Sequence, residues 1–213
     1  YAVLHRDEHL LVLDKPGNLP VHPSARYHRH TLTALMRQRL GPKHGWEMAH
    51  RLDRETSGVL IFGRHGGSAT ALKRAFFARA VEKRYWALVT GCIEGHVRID
   101  MPLGPARDSA IRIKMGPREV EDGGLTAVTE VVPLARGTFR GAPITLVECR
   151  PETGRQHQIR VHLTQIGHPL LGDKLYGLPE AKFLAIVERE AEGQALPPTR
   201  ALAELEAELG LAR

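Results

Sequence analysis

The chain has 213 residues, 42% of them hydrophobic and 25% charged, the balance of a globular protein and not of an unfolded one. No apolar run approaches the ~18 residues that a membrane-spanning helix needs; the longest, such as Val59–Phe62 and Trp86–Thr90, are strand-sized. Lysine and arginine outnumber aspartate and glutamate by 30 to 24, a formal charge of +6, which suits a polyanionic partner without requiring one.

The first segment, Tyr1–Asp14, holds Leu10-Leu11-Val12-Leu13 and predicts a buried strand. Lys15-Pro16-Gly17-Asn18 breaks it as a turn. Val21-His22-Pro23-Ser24 is extended, because a residue before proline is pushed out of the helical region, and a loop rich in His and Arg follows over Ala25–His30. Thr31 caps a helix over Leu32–Leu40, with Leu32, Leu35, Met36 and Leu40 on one face and Gly41-Pro42 as its stop. A polar loop precedes Val59-Leu60-Ile61-Phe62, a short buried strand. Ser68 caps a helix over Ala69–Ala80 that buries Leu72, Ala75 and Phe76. Val81–Thr90 is a strand closed by Gly91.

Residues Gly95–Gly141 read as β-rich, with the runs Val97–Ile99, Ile111–Met115 and Thr126–Val132 between Gly, Pro and Asp clusters. Ile144–Cys149 is a further strand. Gln156–Ile166 fits a strand's alternation and a helix's repeat alike; the stop signal Gly167-His168-Pro169 selects the helix. Two tail helices, Glu180–Glu192 and Thr199–Leu211, flank Pro197-Pro198. There is no internal repeat, no strict β-α-β rhythm and no Gly-rich nucleotide loop. The predicted class is α+β: one domain over residues 1–213, built on a mostly antiparallel mixed sheet with flanking helices and loops. Cys92 and Cys149 match no disulfide or metal spacing, and they read as core residues of a protein in the reducing cytoplasm.

Three clusters carry chemistry. In His50-Arg51-Leu52-Asp53-Arg54-Glu55-Thr56-Ser57-Gly58 a carboxylate stands between two arginines, which favour its ionised form and fit it for nucleophilic work; a surface ion-pair loop would look the same. In Thr153-Gly154-Arg155-Gln156-His157-Gln158-Ile159-Arg160-Val161-His162, a helix would place Gln156, His157 and Arg160 on one face, behind a turn with backbone N–H groups for an anion. In Glu82-Lys83-Arg84-Tyr85-Trp86-Ala87-Leu88-Val89, Tyr85 shares a strand face with Ala87 and Val89 and either stacks on a nucleobase or fills a core.

Together and in this order the clusters resemble the RluA-type family of pseudouridine synthases. The resemblance is carried by Val12–Gly17 with Val21-His22-Pro23, by His50–Gly58, by Lys83-Arg84-Tyr85 with Ala87-Leu88-Val89 and Gly91, by Glu148–Leu163, and by Gly167-His168-Pro169 with Gly172-Asp173 and Tyr176-Gly177. It implies isomerisation of a uridine in ribosomal or transfer RNA without metal or organic cofactor. Asp53 would be the essential carboxylate, Arg160 the arginine paired with it, and Tyr85 the tyrosine lying on the target base. Arg51 would fill the gap left when the base flips out. Further RNA contacts fall to Arg54, Thr56, Arg155, His157 and Gln158. It implies RNA as partner; with the short apolar runs and the unpaired cysteine spacing, the protein is expected to be cytoplasmic, without a membrane, and most simply a monomer.

Two departures bear on extent. Members often carry a separate N-terminal RNA-binding domain, which is not expected within these residues, and continue past the last helix into an Arg-x-Ala-Leu-His-Ala segment; the sequence ends at Leu209–Arg213, so the catalytic domain is expected to be truncated at its C-terminal edge. The rival readings are a non-catalytic RNA-binding module of the same fold and a metal-dependent hydrolase. The second would use His157/His162 and His50/Asp53, but it needs three or four convergent ligands, and none is completed by a cysteine.

Overall fold

The computed structural model describes residues 1–23 and 30–191. The chain divides into two compact units, Tyr1–Val81 and Glu82 onward. The expected helix Thr199–Leu211, and the loop Ala25–His30 apart from His30, lie outside the described residues.

The first unit comprises β1 (Ala2–Arg6), β2 (Leu10–Lys15), α1 (Leu32–Leu40), β3 (Trp46–Met48), β4 (Gly58–Arg64) and α2 (Gly67–Phe77). The four strands form an antiparallel sheet in the order β1-β2-β4-β3. The single strand expected over Tyr1–Asp14 is a hairpin instead: the Asp7 Oδ1 accepts the N–H groups of His9 (2.7 Å) and Leu10 (2.6 Å) and folds the chain back. The apolar run Leu10–Leu13 is buried on one side only. Leu11 pairs with Phe62 and Leu13 with Leu60, and these four fill the inward face.

Helix α1 has the predicted bounds because its start is a local signal: the Thr31 hydroxyl accepts from Ala34 N–H at 3.2 Å. Helix α2 departs from expectation. It begins at Gly67 behind Gly66, whose φ of +87° suits glycine, and has no side-chain cap. Ser68 lies inside the helix, its hydroxyl 3.3 Å from His9 Nδ1. Gly63 explains how closely α2 lies on β4: a Cβ there would come within 2.5 Å of Ala69 Cα. Ala69 is buried, Leu72, Ala75 and Phe76 are half-buried, and Phe77 is exposed.

The second unit contains β5 (Tyr85–Thr90), β6 (Val97–Asp100), β7 (Leu103–Pro105), β8 (Met115–Pro117), β9 (Val128–Phe139), β10 (Ala142–Pro151), α3 (Gln158–Gln165) and α4 (Glu180–Ala191). Its main sheet is antiparallel in the order β5-β10-β9-β6, with β7 and β8 as a separate ribbon. Only the last residue of the run Ile111–Met115 is a strand residue. β9 and β10 form a long hairpin whose two-residue turn, Arg140-Gly141, has φ of +52° and +77°, matching the twist of the strands. Ala87, Val89, Ile99, Val131, Val147, Cys149 and Leu163 form the core against α3. Cys92, by contrast, is exposed, because it follows the strand-ending Gly91 instead of continuing β5.

All described strand pairings are antiparallel, so the α+β class holds. Among the described residues no helix is long and apolar enough to cross a membrane.

Candidate active site

In the first unit, the loop from His50 to Ser57 joins β3 to β4. It is held at both ends and from beneath. Ala49 N–H donates to Ile61 C=O (2.9 Å), and His50 Nε2 accepts from Ile61 N–H (3.3 Å) while its ring stacks on Phe76 at 4.6 Å. Leu52 is buried, and its neighbour Asp53 is half-buried, so one residue anchors the loop while the next stays within reach of solvent. Thr56, also half-buried, donates its N–H to Asp53 C=O at 3.2 Å, turning the chain tightly around the carboxylate.

Beneath the loop lies Lys15, with no exposed surface. Its ammonium donates to the carbonyls of Pro16 (2.9 Å), Leu19 (3.0 Å) and Arg54 (3.0 Å), tying the turn after β2 to the residue that follows Asp53. Burial lowers the Lys15 pKa to about 8, and the charges of Glu55 and Asp53 oppose that shift. Gly17 completes the contact: a Cβ there would lie 3.1 Å from Glu55 C=O. The Arg54 side chain bonds Asn18 Oδ1 (2.9 Å) and pairs with Glu55 (3.1 Å). Arg51 is exposed, and its cation, after burial, is the second cause lowering the pKa of His22.

In the second unit, Tyr85 opens β5 opposite Cys149 and packs, half-buried, against the core cluster that Ile159 also touches. The stretch around α3 differs from expectation at its start. The helix begins at Gln158, and His157 precedes it in the left-handed region (φ +55°), so Gln156 and His157 do not share a helical face with Arg160. Gln158, expected to contact RNA, is 4% exposed. Its carbonyl accepts from the Thr153 hydroxyl (2.7 Å) and Arg155 N–H (2.9 Å), and its NH2 donates to Val128 C=O (2.8 Å) and Thr129 Oγ1 (2.9 Å). The amide oxygen thus occupies the place the turn was expected to offer an anion. Arg155 reaches Thr126 C=O (3.0 Å) with its Nε. His162 is fully buried, with Nδ1 on the Thr129 hydroxyl (2.9 Å) and Nε2 on Met101 C=O (3.0 Å); both nitrogens are occupied, so it is no ligand for a metal beside His157.

Arg160 has a carboxylate partner within its own unit. Its Nε and Nη2 donate to Asp173 Oδ2 (2.7 Å) and Oδ1 (2.9 Å), and its guanidinium lies over the Tyr176 ring at 5.0 Å. Tyr176 Oη is 2.8 Å from His157 Nδ1 and accepts from Met115 N–H (3.0 Å). Burial works to raise the Asp173 pKa, but Arg160 and the N–H groups of Tyr176 and Leu175 outweigh it, and the carboxyl titrates below its ordinary range. Residue type and spacing assign no site role to Lys15, Asp173 or Tyr176. The only sequence signals for them are Lys15-Pro16-Gly17, Gly172-Asp173 and Tyr176-Gly177, which carry the resemblance but name no role.

The family model described as RNA pseudouridylate synthase matches residues 9–165. This chain belongs to the RNA pseudouridylate synthase family. Within the family its RluA-type character is shared with relatives named ribosomal large subunit pseudouridine synthase D: the protein of Zymomonas mobilis is 38% identical over 87% of this chain and 59% of its own length. The tRNA pseudouridine(31) synthase of Saccharomyces cerevisiae is 32% identical over 83% of this chain and 46% of its own. Among solved synthase structures, human RNA pseudouridylate synthase domain containing 1 superposes with a TM-score of 0.72 at 29% identity, covering 85% of this chain and 71% of that one. The chain spans about half to three-fifths of the length of the curated relatives it matches.

Proposed function

We propose that this chain is the catalytic domain of an RNA pseudouridine synthase acting on a specific uridine of ribosomal or transfer RNA. The observation that carries the reading is the Asp53 loop. It is fastened by Lys15, Leu52 and His50 so that a half-buried carboxylate stands on a rigid support. In this reading Asp53, Tyr85 and Arg160 are the residues that act on the target nucleotide. The uridine leaves its stack at a cost of a few kcal/mol, repaid by phosphate contacts of the basic surface. Arg51, Arg54, Thr56, Arg155 and His157 supply RNA contacts; Gln158 acts from inside, by shaping the turn.

The reaction breaks the N1–C1′ bond of uridine and forms a C5–C1′ bond, and the C5 hydrogen is lost to solvent while N1 gains a proton. Asp53 acts on the ribose or the base as the glycosidic bond breaks, Arg160 supports the reaction with its positive charge, and Tyr85 lies on the uracil. No metal or organic cofactor takes part, and the enzyme works as a cytoplasmic monomer.

The test is tritium release from RNA labelled at uridine C5, with ribosomal and transfer RNA transcripts as substrates. Asp53→Asn is expected to abolish release while RNA binding survives. Turnover by a folded Asp53→Asn protein sinks the reading. Binding without release by the wild type would favour a non-catalytic RNA-binding module.

A further inference from the structure

We propose that Asp173 is a positioning residue for this reaction, acting through Arg160. The inference rests on the proposed synthase activity with Asp53 as its carboxylate, and it assigns a role to a residue outside that set.

The grip on Arg160 is made from two directions. In the plane of the guanidinium, Asp173 takes both Nε and Nη2, at 2.7 and 2.9 Å. Against its face lies the Tyr176 ring, 5.0 Å from the guanidinium carbon. Both supports are themselves fixed. Asp173 Oδ1 also accepts the N–H groups of Leu175 (2.9 Å) and Tyr176 (3.1 Å). Tyr176 Oη is bonded by His157 Nδ1 and Met115 N–H. The segment ahead of Asp173 is stitched to β5, the strand that Tyr85 opens, by Thr90 N–H to Pro169 C=O (3.0 Å) and Leu171 N–H to Leu88 C=O (2.8 Å).

The Asp173 side chain is 4% exposed and that of Arg160 19%. A buried ion pair is a weak source of stability, because removing two charges from water offsets much of their attraction. Its advantage here is geometric. A two-bond fork fixes the guanidinium plane, and with it the direction of Nη1. A side chain held this way loses little further freedom when it meets an anionic group of the reaction. Asp173 therefore sets the orientation in which Arg160 acts in the reaction.

The test measures steady-state tritium release from C5-labelled large-subunit ribosomal RNA transcript, or transfer RNA transcript if only that is a substrate. Misplacement of a supporting group by about 1 Å can lower turnover by 10²-fold. Asp173→Asn is expected to lower kcat by about 10²-fold with KM within about twofold of wild type. Asp173→Glu, which keeps the charge one methylene further out, is expected to recover part of the rate, to within about tenfold of wild type. It carries the test if Asp173→Asn does not fold. In an Arg160→Met background neither substitution should change kcat further, because the residue it acts through is gone. A folded Asp173 variant with wild-type kcat overturns the inference. So does a rise in KM alone, or a loss of equal size in the Arg160→Met background. If Asp53→Asn itself turns over, the proposed function fails; if Asp53→Asn is inactive while folded Asp173 variants behave as wild type, only the role of Asp173 falls.

Discussion

Lys15 offers a sharp test of how the loop is built. Replacing it by Met keeps the apolar stem and removes the ammonium that bonds three carbonyls at 2.9 to 3.0 Å. A buried acceptor left without a donor costs about 1–3 kcal/mol. Three such losses are partly offset, because a fully buried ammonium no longer has to be desolvated. A net destabilisation of about 2–4 kcal/mol follows. Urea unfolding followed by tryptophan fluorescence reads it, since Trp46 is 5% exposed and belongs to the first unit. With a denaturant slope of about 1–3 kcal/mol/M, the midpoint should fall by about 1–2 M.

The pH dependence has a definite sign. Lys15 titrates at about 8 in the folded chain, below its ordinary 10.5. Between those values the unfolded chain binds the extra proton, so this group's contribution to stability grows as pH rises from about 8 toward 10.5 and is lost as pH falls through 8. Lys15→Met lacks that slope, and the gap between the two proteins should widen over the window. Equal midpoints at neutral pH, or a gap that narrows as pH rises, would refute the reasoning.

Two further outcomes follow from the packing. Gly63→Ala places a Cβ 2.5 Å from Ala69 Cα, and overpacking backbone against backbone should destabilise by about 1–3 kcal/mol in thermal melts; a melting point equal to wild type would show that α2 can move away freely. Gln158→Ala removes four hydrogen bonds at 2.7 to 2.9 Å. It should lower stability by about 2–4 kcal/mol, whereas a direct RNA-contact role would weaken binding and leave the melting point unchanged.

The structure is legible in the sequence where near neighbours specify it. The Thr31 cap acts over three residues, and both ends of α1 could be placed from it. Strands β4 and β10 lie where the apolar runs Val59–Phe62 and Ile144–Cys149 predict them. Ser68 is no cap because the Gly66-Gly67 backbone starts α2 two residues earlier, and a hydroxyl gives no sign that His9 is its partner. Gln156–Ile166 is helical as its stop signal predicts, but the helix starts two residues later, at Gln158. Nothing local distinguishes a solvent-facing glutamine from one whose four partners lie between Val128 and Arg155.

The sequence by itself determined the α+β class, the family, and the candidate set Asp53, Tyr85 and Arg160, because these rest on residue types in a fixed order. The tertiary structure decided what holds them. Lys15 reaches Arg54 across 39 positions, and Gln158 reaches Val128 across 30. Arg160 meets Asp173 through a turn stitched to β5. Supporting groups act through directed bonds to partners distant in the chain, and only folding selects those partners. The reactive groups announce themselves by chemistry, while the residues that aim them do so only by geometry.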